Sequence, residues 1–405
     1  MTTAANPSRD VLDMSFFQDP YEVYERLRAE GPVHPMRTPD GIDVWVIARY
    51  EEAKAALSDA RFTKTFDGVP DIFAQQNTGI SAHEGYTDIL TKHMLFADPP
   101  DHTRLRELSA KAFTRRRVES LRPEITRIVD GLLDTLAGEQ EIDLLRRVSF
   151  PMSMAVTCRL LGIPPADEDA FRRWTETIFT TNDPARMNEA VRAVDEYLVG
   201  VIEAKRADPA DDLITALINA RDDGDRLTDR ELVSTCALMF VAGYETTASM
   251  VGNAVLALLE HPDKLAELKA DPSLMPNAVD ELLRFDGPVN VATLRSTATD
   301  VTIGDTTIPK GQFVLVSLIS ANRDGDKFPE PERLDFTRPL GGSLAFGHGI
   351  HYCLGAPLSR VEIEVALSRL LARYPNLSLA RKPSTLTWRN SLLVRGLTAL
   401  PIRLS

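Results

Sequence analysis

Between Asp229 and Glu260 the chain is apolar on almost every side of a helical projection, and no proline interrupts it. A helix of that kind has to be buried on all faces. Thr228 and Glu231 have the spacing of a capping box at its start, and His261-Pro262 ends it. At 1.5 Å per residue it would be roughly 48 Å long and would cross the whole molecule. Only a large, mainly helical protein can enclose such an element. The 405 residues are enough to do so, and a chain of this size needs no disulfide or structural metal to complete its core. No run of about 18 apolar residues occurs, so no membrane span is expected.

The flanking sequence supports further helices. Asp19-Pro20 opens one that closes near Gly31-Pro32, and Tyr50 to Ser58 forms another. From Asp101 to about Asp222 helix follows helix, with breaks expected at Pro123, Pro151, Pro164-Pro165 and Pro184. A last helix is expected from about Leu354 to Tyr374. Strand patterns are short. They run from Val33 to Met36 and Val44 to Ile47, then from Val289 to Arg295, Val301 to Ile308 and Phe313 to Leu318, with an alternating end from Leu386 to Ile402. Residues 63–97 have no periodic pattern, and a segment of that length is usually a lid or binding loop. No repeat or linker divides the chain. The expectation is a single domain over 1–405, mainly α with a minor β part.

Lys and Arg number 46 against 59 Asp and Glu, a net charge of −13. That balance argues against nucleic acid as the main partner, because phosphate binding needs a basic face. Cys158, Cys236 and Cys353 are odd in number and widely spaced, which fits a reducing cytoplasm. The N-terminus has neither the basic stretch nor the apolar core of a signal peptide, so the expected location is cytoplasmic.

Residues 346–355 read Phe-Gly-His-Gly-Ile-His-Tyr-Cys-Leu-Gly. Three glycines let backbone approach something closely. Cys353 directly precedes the last long helix, where a thiolate gains from the helix dipole and from free N–H donors. The plainer reading is a tight turn with a buried free cysteine. A zinc site here would lack a fourth ligand. Inside the long helix, Glu245, Thr246 and Thr247 place polar groups in apolar surroundings, which is expensive unless they are paired or used. Glu281 and Arg284 are spaced i,i+3, which by itself suggests an ordinary surface pair.

The ten-residue stretch resembles the haem-binding signature of the cytochrome P450 superfamily, Phe-x-x-Gly-x-(Arg/His)-x-Cys-x-Gly, with every fixed position filled. The resemblance implies the P450 fold: a helical haem-binding domain with small antiparallel sheets. It makes Cys353 the axial ligand of haem b, with Phe346 beside the thiolate and Gly347 and Gly355 admitting the haem. Ala242-Gly-Tyr-Glu-Thr-Thr247 is similar to the family's oxygen-binding groove. That match gives Gly243 the role of leaving room for dioxygen, and Glu245 and Thr246 that of delivering protons. Asp98 to Arg106 resembles the family's helix over one haem edge, so His102 and Arg106, with Arg295 and His351, would clamp the propionates. Glu281 and Arg284 match the family's buried pair, which Arg333 would complete.

By the same resemblance the activity is insertion of one oxygen atom from dioxygen into a C–H bond, a hydroxylation or an epoxidation. The substrate would be a bulky lipophilic molecule, a macrolide or other polyketide, as in actinobacterial members. Met94, Leu95, Leu238, Ala242, Val289, Val291, Ala292 and Leu393 would line the pocket, near Trp174 and Phe179. Steroids, terpenes and fatty acids are the competing substrates, and a peroxide-driven enzyme is the competing mechanism. A haem sensor without turnover and a haem-free helical binding protein are the competing classes. The chain has no room for a flavin or iron–sulfur domain, so a separate ferredoxin and its NAD(P)H-dependent reductase would supply electrons. Lys111, Arg115, Arg116, Arg117 and Arg360 are the expected docking patch. The protein is expected to act as a monomer.

Overall fold

A computed structural model describes residues 9–65, 89, 92–180, 183–221, 224–339 and 341–405. The long helix spans Asp229–Glu260, and both halves of the Thr228–Glu231 capping box form. Four other helices surround it: Phe150–Leu161, Pro184–Ala207, Met275–Asp286 and Ala356–Arg373. Their apolar faces merge with it into one core. The sequence pattern therefore needed no polar face on this central helix.

Helix Arg115–Asp134 runs through Pro123, where a break was expected. Val118, Ile125, Val129 and Leu133 are buried along it, and its packing on Ala356–Arg373 outweighs the roughly 3 kcal/mol that an interior proline costs. Pro151 and Pro184 sit in first turns, where a proline is tolerated. Ion pairs fix the direction of the helix beside it. Arg122 meets Glu364 at 2.9 Å, Asp130 meets Arg369 at 2.6 Å and Asp134 meets Arg373 at 2.7 Å. The numbers rise together, so the two helices are parallel and both start at the end of the molecule that carries Cys353.

The main sheet has six short strands in the order Asp10–Val11, Val33–Arg37, Asp43–Ile47, Phe313–Val316, Arg295–Thr297, Phe62–Thr63. It is mixed where antiparallel pairing was expected: Asp43–Ile47 pairs in parallel with Phe313–Val316, which requires a long crossover, and the whole helical body supplies it. Phe62 pairs with Thr297 and Thr63 with Ser296, a register that continues to Lys64 opposite Arg295. After Phe313–Val316 the chain forms a short helix, Leu318–Asn322, and not the end of a strand. The C-terminal stretch is held by isolated bridges, Val289 to Val394 and Trp388 to Leu397, and by the strand Pro401–Arg403. Of the irregular stretch 63–97, residues 66–88 and 90–91 lie outside the described residues; Met94–Phe96 is one 3-10 turn.

Candidate active site

The cysteine loop is built by its own backbone. Cys353 N donates to Phe346 O at 2.9 Å, Gly347 N to Leu344 O at 2.8 Å and Tyr352 N to Gly349 O at 3.1 Å. Gly347 and Gly349 have φ of 74° and 72°, which side-chain-bearing residues rarely adopt. A Cβ on Gly349 would also lie 2.8 Å from Ser58 Oγ. Burial pushes the Cys353 thiol up, while the N–H groups of Gly355 and Ala356 and the cations Arg106 and Arg360 pull it down. The side chain is nevertheless exposed. A sulfur that is deep in the protein and still open lines an internal space. Cys158 and Cys236 are closed in, and burial pushes both thiols up to about 12. Phe346 lies under the guanidinium of Arg360, 4.5 Å away.

The middle of the central helix is also open on one side. Met239, Gly243 and Thr246 are half-buried and Ala242 is exposed, and the spacing i, i+3, i+4, i+7 places all four on one face. Thr246 Oγ1 donates to Ala242 O at 2.7 Å. Gly243 O and Tyr244 O accept from Ser153 Oγ at 3.1 and 2.8 Å. A Cβ on Gly243 would meet Thr157 Oγ1 at 3.4 Å, so this glycine also lets the neighbouring helix approach. Glu245, about 100° away from Thr246 around the axis, is buried and paired with Arg389. Burial raises its carboxyl and Arg389 lowers it, with burial the larger.

A third group of side chains is basic and short of partners. His102 and His351 face each other with ring centroids 4.2 Å apart. Both nitrogens of His102, Nε2 of His351 and Nε of Arg295 are buried without a partner. His351 is pushed down to about 2 by burial and then by Lys64, His102, Arg295 and Arg106. Burial lowers Lys64 well below its usual range, Arg295 adds to that, and burial brings Arg295 down to about 10. Asp98 accepts from Lys64 N at 3.0 Å. Five basic side chains around one carboxylate call for further anions. The donor set fits the two propionates of a haem, and the open sulfur and the open helix face fit its ring.

The sequence profile of the family Cytochrome P450 matches residues 168–395. The chain is 47% identical over 403 residues to Cytochrome P450 107B1 of Saccharopolyspora erythraea, covering 100% of this chain and 99% of the relative. It belongs to the cytochrome P450 family. It is also 41% identical over 412 residues to the 6-deoxyerythronolide B hydroxylase of that organism, with all of both chains covered. The tirandamycin C-bound P450 monooxygenase TamI superposes with a TM-score of 0.89 at 46% identity, covering 98% of this chain and 100% of that one. Membership makes this chain a monooxygenase with a haem cofactor. No described helix is long and apolar enough to cross a membrane.

Two expected site residues of this P450 are placed elsewhere. Glu281 and Arg284 are buried and bidentate, at 2.7 and 2.8 Å. The partner that completes them is Arg338, whose Nε donates to Glu281 at 3.1 Å, and not Arg333. Leu334 and Phe336 take the buried positions of the connector. Arg333 therefore faces out to Glu330 and lends only its carbonyl to Arg284. Val291 turns into the sheet core with Phe313 and Leu315 and is 3% exposed. Met94 and Leu238 are largely closed off, at 8% and 9% exposure. Leu95, Val289 and Ala292 are half-buried and Leu393 is exposed. Trp174 packs on Phe171 and Tyr197, and the Phe179 side chain lies outside the described residues.

Sequence reasoning missed Lys64 and Arg389. Lys64 had no local signal; only strand register puts it opposite Arg295. Arg389 could have been sought from the buried Glu245, which needed a cation, but nine other arginines of the last hundred residues were equally eligible on charge alone.

Proposed function

We propose that the Cys353 sulfur would hold the iron of haem b, and that this P450 hydroxylates or epoxidises a bulky lipophilic substrate, a macrolide or other polyketide. When bound, the haem supplies dioxygen activation, and thiolate ligation favours O–O cleavage. The observation that carries the reading is an open sulfur backed by Gly355 and Ala356 N–H groups, in a molecule whose other cysteines are closed.

The residues divide the remaining work. His102, Arg106, Arg295, His351 and Lys64 hold the propionates. Phe346 and Gly347 pack the thiolate side, and Gly355 leaves the sulfur room. The Thr246 hydroxyl, on the open face of the central helix, orders water and donates a proton. Glu245 relays protons inward from the side on which Arg389 lies. Leu95, Ala242, Val289, Ala292 and Leu393 give an apolar lining that excludes water and suits a bulky substrate. The substrate class draws on relatives that hydroxylate 6-deoxyerythronolide B or hold tirandamycin C. A separate ferredoxin and its NAD(P)H-dependent reductase supply electrons to a cytoplasmic monomer, one domain over 1–405.

Difference spectra test the ligand. The reduced carbon monoxide complex should show the red-shifted Soret band of thiolate-ligated haem, and Cys353→His should lose it along with oxygenation. Loss of the band in a Cys158 or Cys236 variant instead would refute the assignment. Spectral titration against macrolides, steroids, terpenes and fatty acids tests the substrate class.

A further inference from the structure

The hairpin from Thr387 to Thr398 touches two parts of the site. Its arms are joined by Thr398 N to Thr387 O and Arg389 N to Gly396 O, both at 2.9 Å. One arm lies against the central helix, and Gly396 makes that possible: a Cβ there would sit 2.6 Å from Ser249 Oγ and 2.9 Å from its Cβ. Asn253 Nδ2 donates to Arg395 O at 3.1 Å. Ser249 and Asn253 follow Glu245 in steps of four, along one stripe of the helix. At the head of that stripe Arg389 pairs with the Glu245 carboxylate, its guanidinium 5.0 Å over the Phe150 ring.

The tip of the hairpin reaches the other part. Leu393 O accepts from Asn290 N at 2.9 Å, and Val394 bridges Val289. That same segment leads within five residues to Arg295 of the cation cluster. Leu393 is 40% exposed, an aliphatic side chain left partly open at the hairpin tip. Between tip and base the turn is tight: Ser391 N donates to Arg389 O at 3.0 Å and Val394 N to Ser391 Oγ at 3.1 Å. A displacement of Leu393 is therefore carried to Arg389.

We propose that this hairpin is a substrate-operated gate on proton supply, in which a bulky molecule pressing on Leu393 draws Arg389 away from Glu245. The proposal rests on the reading of Glu245 as a relay. While paired, the carboxyl has its charged form favoured by the Arg389 guanidinium. Released in its buried position, it takes up a proton from solvent, because burial favours the neutral form. Arg389 is then a positioning residue that acts through Glu245.

Linkage allows a test without turnover. If filling the cavity breaks the ion pair, removing the pair must make filling easier. Spectral titrations of the holoenzyme with clotrimazole, which is bulky, and imidazole, which is not, separate size from ligation. Arg389→Met and Glu245→Gln should each tighten clotrimazole binding about fivefold or more. The double variant should gain no more than either single one, and imidazole binding should not change. Glu245→Gln keeps the side-chain shape and carries the test if Arg389→Met folds poorly. Unchanged clotrimazole affinity, or equal gains for both azoles, overturns the gate. Slowed turnover of Glu245→Gln with unchanged clotrimazole affinity overturns the gate and leaves the relay standing. Tighter clotrimazole binding with wild-type turnover leaves the hairpin coupling and overturns its role in proton supply.

Discussion

Thr246 and Glu362 show how single polar groups are used inside this helical core. Thr246 spends its hydroxyl on Ala242 O, on the one helix face that is open, so it can exchange that bond for water or substrate. Thr246→Ala should keep the haem spectrum and substrate affinity but divert reducing equivalents to hydrogen peroxide. Full coupling in that variant would transfer the role to another hydroxyl. Glu362 is different. It is buried on helix Ala356–Arg373, its Oε2 has no partner, and burial raises its carboxyl well above the usual range. A carboxyl whose folded pKa is raised favours the fold below its unfolded pKa. That advantage is lost as pH rises through the raised folded value. Glu362→Gln, which does not titrate, should match the wild type at about pH 4 and exceed it increasingly towards about pH 7. Chemical denaturation at both pH values would show it, and a stability gap that stays constant with pH would refute it.

At the scale of elements, the connector from Phe328 to Pro339 closes the thiolate side through Glu281, Arg284 and Arg338. Arg284 Nη1 reaches Asn322 O and Pro331 O, both at 2.9 Å, so a buried guanidinium ties its helix to the end of the short helix Leu318–Asn322 and to the connector. Removing one partner of such a pair costs about 3–5 kcal/mol, because the other charge stays buried. Arg284 still pairs with Glu281 when Arg338 is removed, so Arg338→Met should cost less than that, about 1–3 kcal/mol, and impair haem retention. Arg333→Met should change stability by about 0.5 kcal/mol at most. Thermal melts of the two variants compare them directly, and equal losses would refute the assignment to Arg338. The sequence pattern Glu-x-x-Arg located two members of this network. It could not choose the third, because two arginines, Arg333 and Arg338, lie within the connector and only the burial of Leu334 and Phe336 decides which one turns inward.

Over the whole molecule the charge is −13, yet Arg115 and Arg116 are exposed at the start of a helix that runs parallel to Ala356–Arg373. That direction places them at the cysteine end. Arg360 is not a free member of the patch, being paired with Asp280 at 2.7 Å and stacked on Phe346. Lys111 is engaged with Arg221 O and Arg117 with Asp211. An acidic ferredoxin should dock at Arg115 and Arg116, with association slowed by salt. Arg115→Glu with Arg116→Glu should raise the apparent KM for ferredoxin several-fold and leave azole binding unchanged. An unaltered KM would remove the docking site.

The sequence by itself determined whatever is local. The central helix and its cap follow from periodicity and the Thr228–Glu231 spacing, and the cysteine loop follows from glycines at two positions of positive φ. Helix Tyr50–Ser58 followed from its own pattern in the same way. Tertiary structure decided whatever depends on two distant segments meeting. Lys64 joins Arg295 through strand register, Arg389 meets Glu245 because Gly396 lets a hairpin lie on Ser249, and Arg338 displaces Arg333 because two apolar neighbours are pulled into the core. Pro123 stays helical because packing exceeds local propensity. The physical reason is common to all four. Local hydrogen bonding and backbone sterics act over a few residues and can be read along the chain. Burial and ion pairing depend on which surfaces the fold brings together.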